Sequence, residues 1–66
     1  MRLILNGEER LFEAARDVAG LIAQLGLDAR KVAVERNLAI VPRSAWPVTA
    51  LAEGDRIEIV HFVGGG

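Results

Sequence analysis

Two short apolar segments lie near opposite ends of this chain of 66 residues, and each carries large apolar side chains on both faces of an extended strand. In the first, RLIL, Leu3 and Leu5 point to one face and Ile4 to the other. The last, IEIVHF, has the same character. Strands that are apolar on both faces lie in the interior of a sheet. We therefore expect the first and last strands to be central neighbours, joined by a crossover.

The last strand also predicts which side chains remain outside the core. Ile57 and Ile59 alternate with Val60 and Phe62. If the helix covers Ile57 and Ile59, then Val60 and Phe62 face away from it, and so does Ile4 of the first strand. These three residues either form an apolar patch for a partner protein or are covered by the crossover.

The remaining elements follow from turn and helix signals. The Asn6-Gly7 pair predicts a hairpin, since both residues tolerate positive φ. Asp17 is a candidate N-cap before an apolar stripe at helical spacing, and Gly26 is placed to close that helix. The predicted elements are strands at 1–5, 8–14, 32–36, 39–41 and 56–63, a helix from 18 to 25, and a crossover at 42–52 that buries Trp46. The expected fold is α+β, a mixed sheet of about five strands with one main helix packed on one face.

Composition excludes most catalytic chemistry. The chain has no cysteine, so it offers neither a thiolate nucleophile nor sulfur ligands for zinc. His61 is the one histidine and Ser44 the one serine, with no third residue to orient such a pair, and we expect His61 to be an ordinary surface residue. Neither a metal site nor a bound cofactor is expected, and the chain is interpreted as a non-enzyme.

Charge and hydropathy exclude two further classes of protein. The eight Lys and Arg residues are scattered among nine acidic ones, without the basic cluster that nucleic-acid binding needs. No apolar run approaches the roughly 20 residues that span a bilayer. We expect a soluble, cytoplasmic protein that binds neither nucleic acid nor membrane.

The sequence closes on three glycines, Gly64, Gly65 and Gly66, directly after the last strand. Residues 1–63 are expected to form the domain and 64–66 a flexible tail. Without Cβ atoms these glycines suit a slot too narrow for other residues. The α-carboxylate of Gly66 is ionised near neutral pH, and it is a competent nucleophile toward the α-phosphate of ATP. A tail with no function is the alternative.

Several stretches together resemble the ThiS family of sulfur carriers for thiamine (thiazole) synthesis, within the ubiquitin-like β-grasp superfamily. The matching stretches are MRLILNGE, the helix at 18–25, VAVERN, IVPRSAW and LAEGDRIEIVHFVGGG. The resemblance implies that a partner E1-like adenylyltransferase uses ATP to adenylate Gly66. Sulfur drawn from cysteine by a desulfurase then gives a thiocarboxylate, which thiazole synthase consumes. Gly64 and Gly65 would enter the partner's active site.

Two other functions remain open at the level of sequence. One is a carrier for another pathway, such as molybdopterin synthesis or tRNA thiolation. The other is a β-grasp interaction module that binds through its sheet and leaves the tail inert.

Overall fold

The computed structural model describes residues 1–62 and contains a five-stranded mixed sheet with one α-helix across one face. In the sheet the strands follow the order β2-β1-β5-β3-β4. The elements are β1 (Arg2–Leu5), β2 (Glu8–Leu11), α1 (Val18–Gln24), β3 (Val32–Arg36), β4 (Ala39–Val41) and β5 (Arg56–His61), with 3-10 turns at Ala29–Lys31 and Arg43–Val48. This architecture confirms the expected α+β class. The predicted boundary between domain and tail, after residue 63, lies outside the described residues.

The first and last strands are neighbours, as their two apolar faces predicted. β1 pairs with β5 in parallel, with Ile4 opposite Arg56 and Leu5 opposite Ile57. On its other side β5 pairs antiparallel with β3. β5 is therefore the middle strand of the sheet, held on both sides.

One face of the sheet packs on α1 to form the core. Ile57 is fully buried there, as are Val18 and Leu21 of the helix. Trp46 is also buried, and its indole N–H donates to the carbonyl of Val41 at 2.9 Å, which satisfies the polar end of the ring. The alternation predicted for the first and last strands is confirmed, because its four inward residues all belong to the core: Leu3, Leu5, Ile57 and Ile59.

Local signals in the sequence fix the ends of the helix and both hairpins. The Asp17 carboxylate caps α1 by accepting from the Gly20 N–H at 2.7 Å. Asn6 and Gly7 both have positive φ, as the predicted two-residue hairpin requires. The second hairpin turns at Asn37 and Leu38 with the same signs of φ. Leu38 is thus a bulky residue in the left-handed region, where a non-glycine residue costs roughly 1–2 kcal/mol.

β2 ends at Leu11, three residues before the predicted end at residue 14. Its partner β1 begins at Arg2, which already pairs with Leu11. Beyond that pair the Met1 carbonyl accepts from the Phe12 N–H at 2.8 Å. The ladder ends there, and Phe12 turns into the core.

Asp55 anchors the start of β5 to the β3–β4 hairpin. Its buried carboxylate accepts from Arg36 Nε at 2.8 Å, Asn37 Nδ2 at 3.0 Å and the Ala52 N–H at 2.8 Å. Burial opposes ionisation of Asp55, but the bonds from Asn37, Ala52 and Arg36 outweigh it and hold the pKa of Asp55 below its ordinary value of 3.8. The carboxylate is therefore charged in the fold.

This linkage predicts how stability depends on pH. Because the folded pKa of Asp55 is depressed, its stabilisation is complete above the ordinary value of 3.8 and is lost as pH falls through the folded value. Asp55→Asn should lower the free energy of unfolding at pH 7 by about 1–3 kcal/mol, since three donors lose an ionised acceptor. Urea unfolding between pH 7 and pH 2 measures both effects. The idea fails if the variant loses as much stability below pH 4 as the parent does.

Candidate partner-binding surface

The residues expected to carry the chemistry, Gly64, Gly65 and Gly66, lie outside the described residues. The structure describes the strand that precedes them. β5 runs to His61, and the next residue, Phe62, donates its N–H to the Lys31 carbonyl at 2.8 Å. The chain is thus fixed as far as Phe62, which bonds to the residue just before β3.

On the other side of β5, the side chain of Asn6 extends the ladder beyond β1. Its Oδ1 accepts from the Ile59 N–H at 2.7 Å, and its Nδ2 donates to the Ile59 carbonyl at 3.3 Å. The side-chain amide of Asn6 therefore makes the two hydrogen bonds that a backbone residue of a partner strand would make. This second role of the hairpin asparagine fixes β5 two residues before its end.

The sheet face opposite α1 carries Val60 and Phe62, and each is 58% exposed. Ala33 of β3 is directly opposite Val60. The crossover does not cover them: Leu51 is buried in the core and Val48 is 82% exposed. Val60 and Phe62 therefore present an apolar surface beside the last described residues of the chain.

Ile4 does not adjoin these two residues. It faces the same side of the sheet but is half-buried and lies opposite Arg56, the first residue of β5. Val60 is four residues farther along β5, about 13 Å at the rise of an extended strand. Glu58 lies between them on the same face. The three residues grouped by sequence parity thus fall at two ends of one surface.

The middle of this open face is acidic. Glu35 of β3 is directly opposite Glu58 of β5, and Ile40 of β4 lies on the far side of Glu35. Sequence reasoning missed this pair because the two residues are 23 positions apart, and only the register of β3 on β5 brings them together. Alternation alone could have placed each of them on the outer face.

Other predicted features occupy ordinary positions. His61 is exposed at the end of β5. Among residues 1–62, no group of three or more His, Asp or Glu side chains could hold a metal ion. No helix in that range is both long and apolar enough to cross a membrane.

Comparisons with known proteins agree on one family. The model of the ThiS family matches residues 3–66. The sulfur carrier protein ThiS of Bacillus subtilis is 38% identical over 65 residues, which is 97% of this chain and 98% of that protein. The match to the family model therefore includes the three glycines at 64–66.

Two longer relatives are thiazole synthases. The chain is 56% identical over 66 residues to that of Paramagnetospirillum magneticum and 48% identical to that of Magnetococcus marinus. All of this chain is matched in both, but it spans only 20% of the length of each relative.

Solved structures agree in fold. The crystal structure of the thiamine biosynthesis protein ThiS from Geobacter metallireducens has a TM-score of 0.84 and 33% identity, with full coverage of both chains. A solution structure of a thiamine biosynthesis protein from the same organism gives 0.82 at 33% identity, over all of this chain and 88% of that one. The likeness confirms the ubiquitin-like β-grasp fold that the sequence resemblance implied.

Proposed function

This chain belongs to the ThiS family, and we propose from that premise that it carries sulfur for thiazole formation in thiamine biosynthesis. The sulfur is held on the carboxyl group of Gly66 as a thiocarboxylate. The observation that carries the proposal is the family match, which runs to residue 66 and so includes the terminal glycines.

The chemistry needs an activating partner, because a carboxylate is a poor electrophile. In the first step an oxygen of the Gly66 carboxylate attacks the α-phosphate of ATP, and pyrophosphate leaves. In the second step the terminal sulfur of a persulfide attacks the acyl carbon, and AMP leaves. A thiol then cleaves the resulting acyl disulfide, which releases the thiocarboxylate and a mixed disulfide. The carrier is therefore a co-substrate of an E1-like adenylyltransferase and, indirectly, of a cysteine desulfurase.

The role of the folded domain is to present the tail. β5 is bonded on both sides up to Ile59, and Phe62 bonds to Lys31, the residue just before β3. Three glycines reach about 10 Å at 3.3–3.6 Å per residue. Gly64 and Gly65 enter the partner's active site, while Val60 and Phe62 contact its surface beside the entrance.

Thiazole synthase is the proposed acceptor of the sulfur. Two relatives with that name contain a region that matches all 66 residues at 56% and 48% identity. A carrier domain and the enzyme that consumes its sulfur are suited to share one chain, since tethering raises their effective concentration.

The test is a mass measurement on the intact chain ending at Gly66. Incubated with its adenylyltransferase, ATP, a persulfide donor and a thiol, the protein should gain the mass difference between sulfur and oxygen. A sample without ATP should gain nothing, because the acyl adenylate cannot form. An unchanged mass in the complete reaction would refute the proposal and would favour an interaction module with an inert tail.

A further inference from the structure

The open face of the sheet places two carboxylates side by side at its centre. Glu35 and Glu58 are cross-strand partners on β3 and β5. Their side chains lie opposite the buried face that Val34 and Ile59 form. We propose that this pair is the docking point for a basic side chain of thiazole synthase, an inference that rests on the proposed function.

The register of β3 on β5 sets the distance between Glu35 and Glu58. Backbone hydrogen bonds join Phe62 to Lys31 at one end of the ladder and Asn37 to Arg56 at the other. Hydrogen-bonded pairs alternate along an antiparallel ladder, so Glu35 and Glu58 also form such a pair, with Cα atoms about 5.5 Å apart. Like charges directly opposite each other disfavour the sheet.

No Lys or Arg of residues 1–62 forms an ion pair with Glu35 or Glu58. The ion pairs within residues 1–62 join Arg2 to Glu9 and Glu53, Arg30 to Asp28, and Arg36 to Asp55. Arg56, two residues before Glu58, takes part in none of them. The chain has eight basic residues for nine acidic ones, so its composition does not force two carboxylates together.

The residues around Glu35 and Glu58 indicate what kind of partner surface would bind the pair. Val60 and Phe62 lie toward the end of β5, with Val60 two residues beyond Glu58, about 7 Å along the strand. Ile40, 76% exposed, borders Glu35 on the other side. The complementary surface carries an arginine or lysine with apolar residues beside it. Arginine fits best, because its planar guanidinium can bind carboxylates through two parallel hydrogen bonds.

The relatives and the direction of β5 indicate which protein binds the open face. Two thiazole synthases contain a region that matches this whole chain and makes up a fifth of their length. The rest of each relative is available to cover the open face of that region. The glycine tail begins three residues after β5 ends, so a partner that receives Gly66 approaches that end of the strand. Val60, Phe62 and the acidic pair are the part of the face that such a partner meets first.

The experiment compares two variants that remove the same charge. Glu35→Gln with Glu58→Gln neutralises the pair. Glu8→Gln with Glu13→Gln is the matched control, since both residues are exposed and neither lies on the open face. Titration calorimetry with thiazole synthase should show about tenfold weaker binding for the first variant and little salt dependence. The control should bind within about twofold of the parent, since it keeps the acidic pair.

A thermal melt shows whether folding explains the result. Neutralising Glu35 and Glu58 removes a repulsion, so the midpoint should equal or exceed that of the parent. Binding that is unchanged, with the parent's salt dependence, overturns this inference and leaves the mass gain at Gly66 untouched. Binding that is unchanged while sulfur loading falls overturns it too, because the face would then serve the adenylyltransferase. A parent that gains no sulfur refutes the proposed function instead.

Discussion

A chain extended by one alanine after Gly66 is expected to gain no sulfur. The extension turns the Gly66 carboxylate into an amide, which is not a nucleophile toward ATP. The new carboxylate lies about 3.5 Å farther along the tail, on a carbon that bears a side chain. A slot shaped for glycine excludes that side chain. Intact mass after incubation with the adenylyltransferase, ATP, the persulfide donor and a thiol measures the loss.

Glu13→Ala is the control for this experiment. Glu13 is exposed and lies outside the strands and the helix, so this variant keeps the tail and the Gly66 carboxylate unchanged. We expect it to gain sulfur as the parent does. If the extended chain were loaded as well as the parent, the working group would not be the carboxylate of Gly66.

Ile57→Ala is expected to have the largest effect on stability. Ile57 is fully buried in the middle strand of the sheet. Truncating a buried isoleucine to alanine costs about 2–5 kcal/mol, from lost transfer free energy and the cavity left behind. A domain of this length has roughly 3–10 kcal/mol of total stability, so the variant should be largely unfolded or close to it. Urea unfolding followed by circular dichroism measures the change.

Val60→Ala provides the comparison within the same strand. Val60 lies on the open face and is more than half exposed, so its truncation should cost less than about 0.5 kcal/mol. The two variants share the strand and the change to alanine, and they differ in which face of the sheet is altered. Equal losses would show that the core does not lie between α1 and the face carrying Ile57.

Much of the fold is readable from local patterns. Alternation in β1 and β5 predicts both their position and their buried face, since both strands are apolar on two sides. Asn6-Gly7 and Asp17 act on their immediate neighbours, so their turn and cap are visible in the sequence. The predicted end of β2 was wrong, because the strand ends where Phe12 turns into the core, and no local pattern marks that turn.

The site was harder to predict, because it depends on register. Parity places Ile4, Val60 and Phe62 on one face but gives no distance between strands. Only the alignment of β1 on β5 shows that Ile4 lies apart from the other two. The acidic pair of Glu35 and Glu58, and the bonds from Asn6 to Ile59, join residues far apart in the chain. No short pattern encodes such contacts.

The central place of β5 also has a consequence during protein synthesis. Until residues 56–61 leave the ribosome, β1 and β3 have no common partner, and only two separate hairpins can form. Isolated two-stranded hairpins are marginally stable in water. The sheet therefore assembles only when translation has passed its last strand. A prematurely terminated chain would stay unfolded and open to proteases. Every folded molecule therefore contains β5, the strand that precedes the glycine tail.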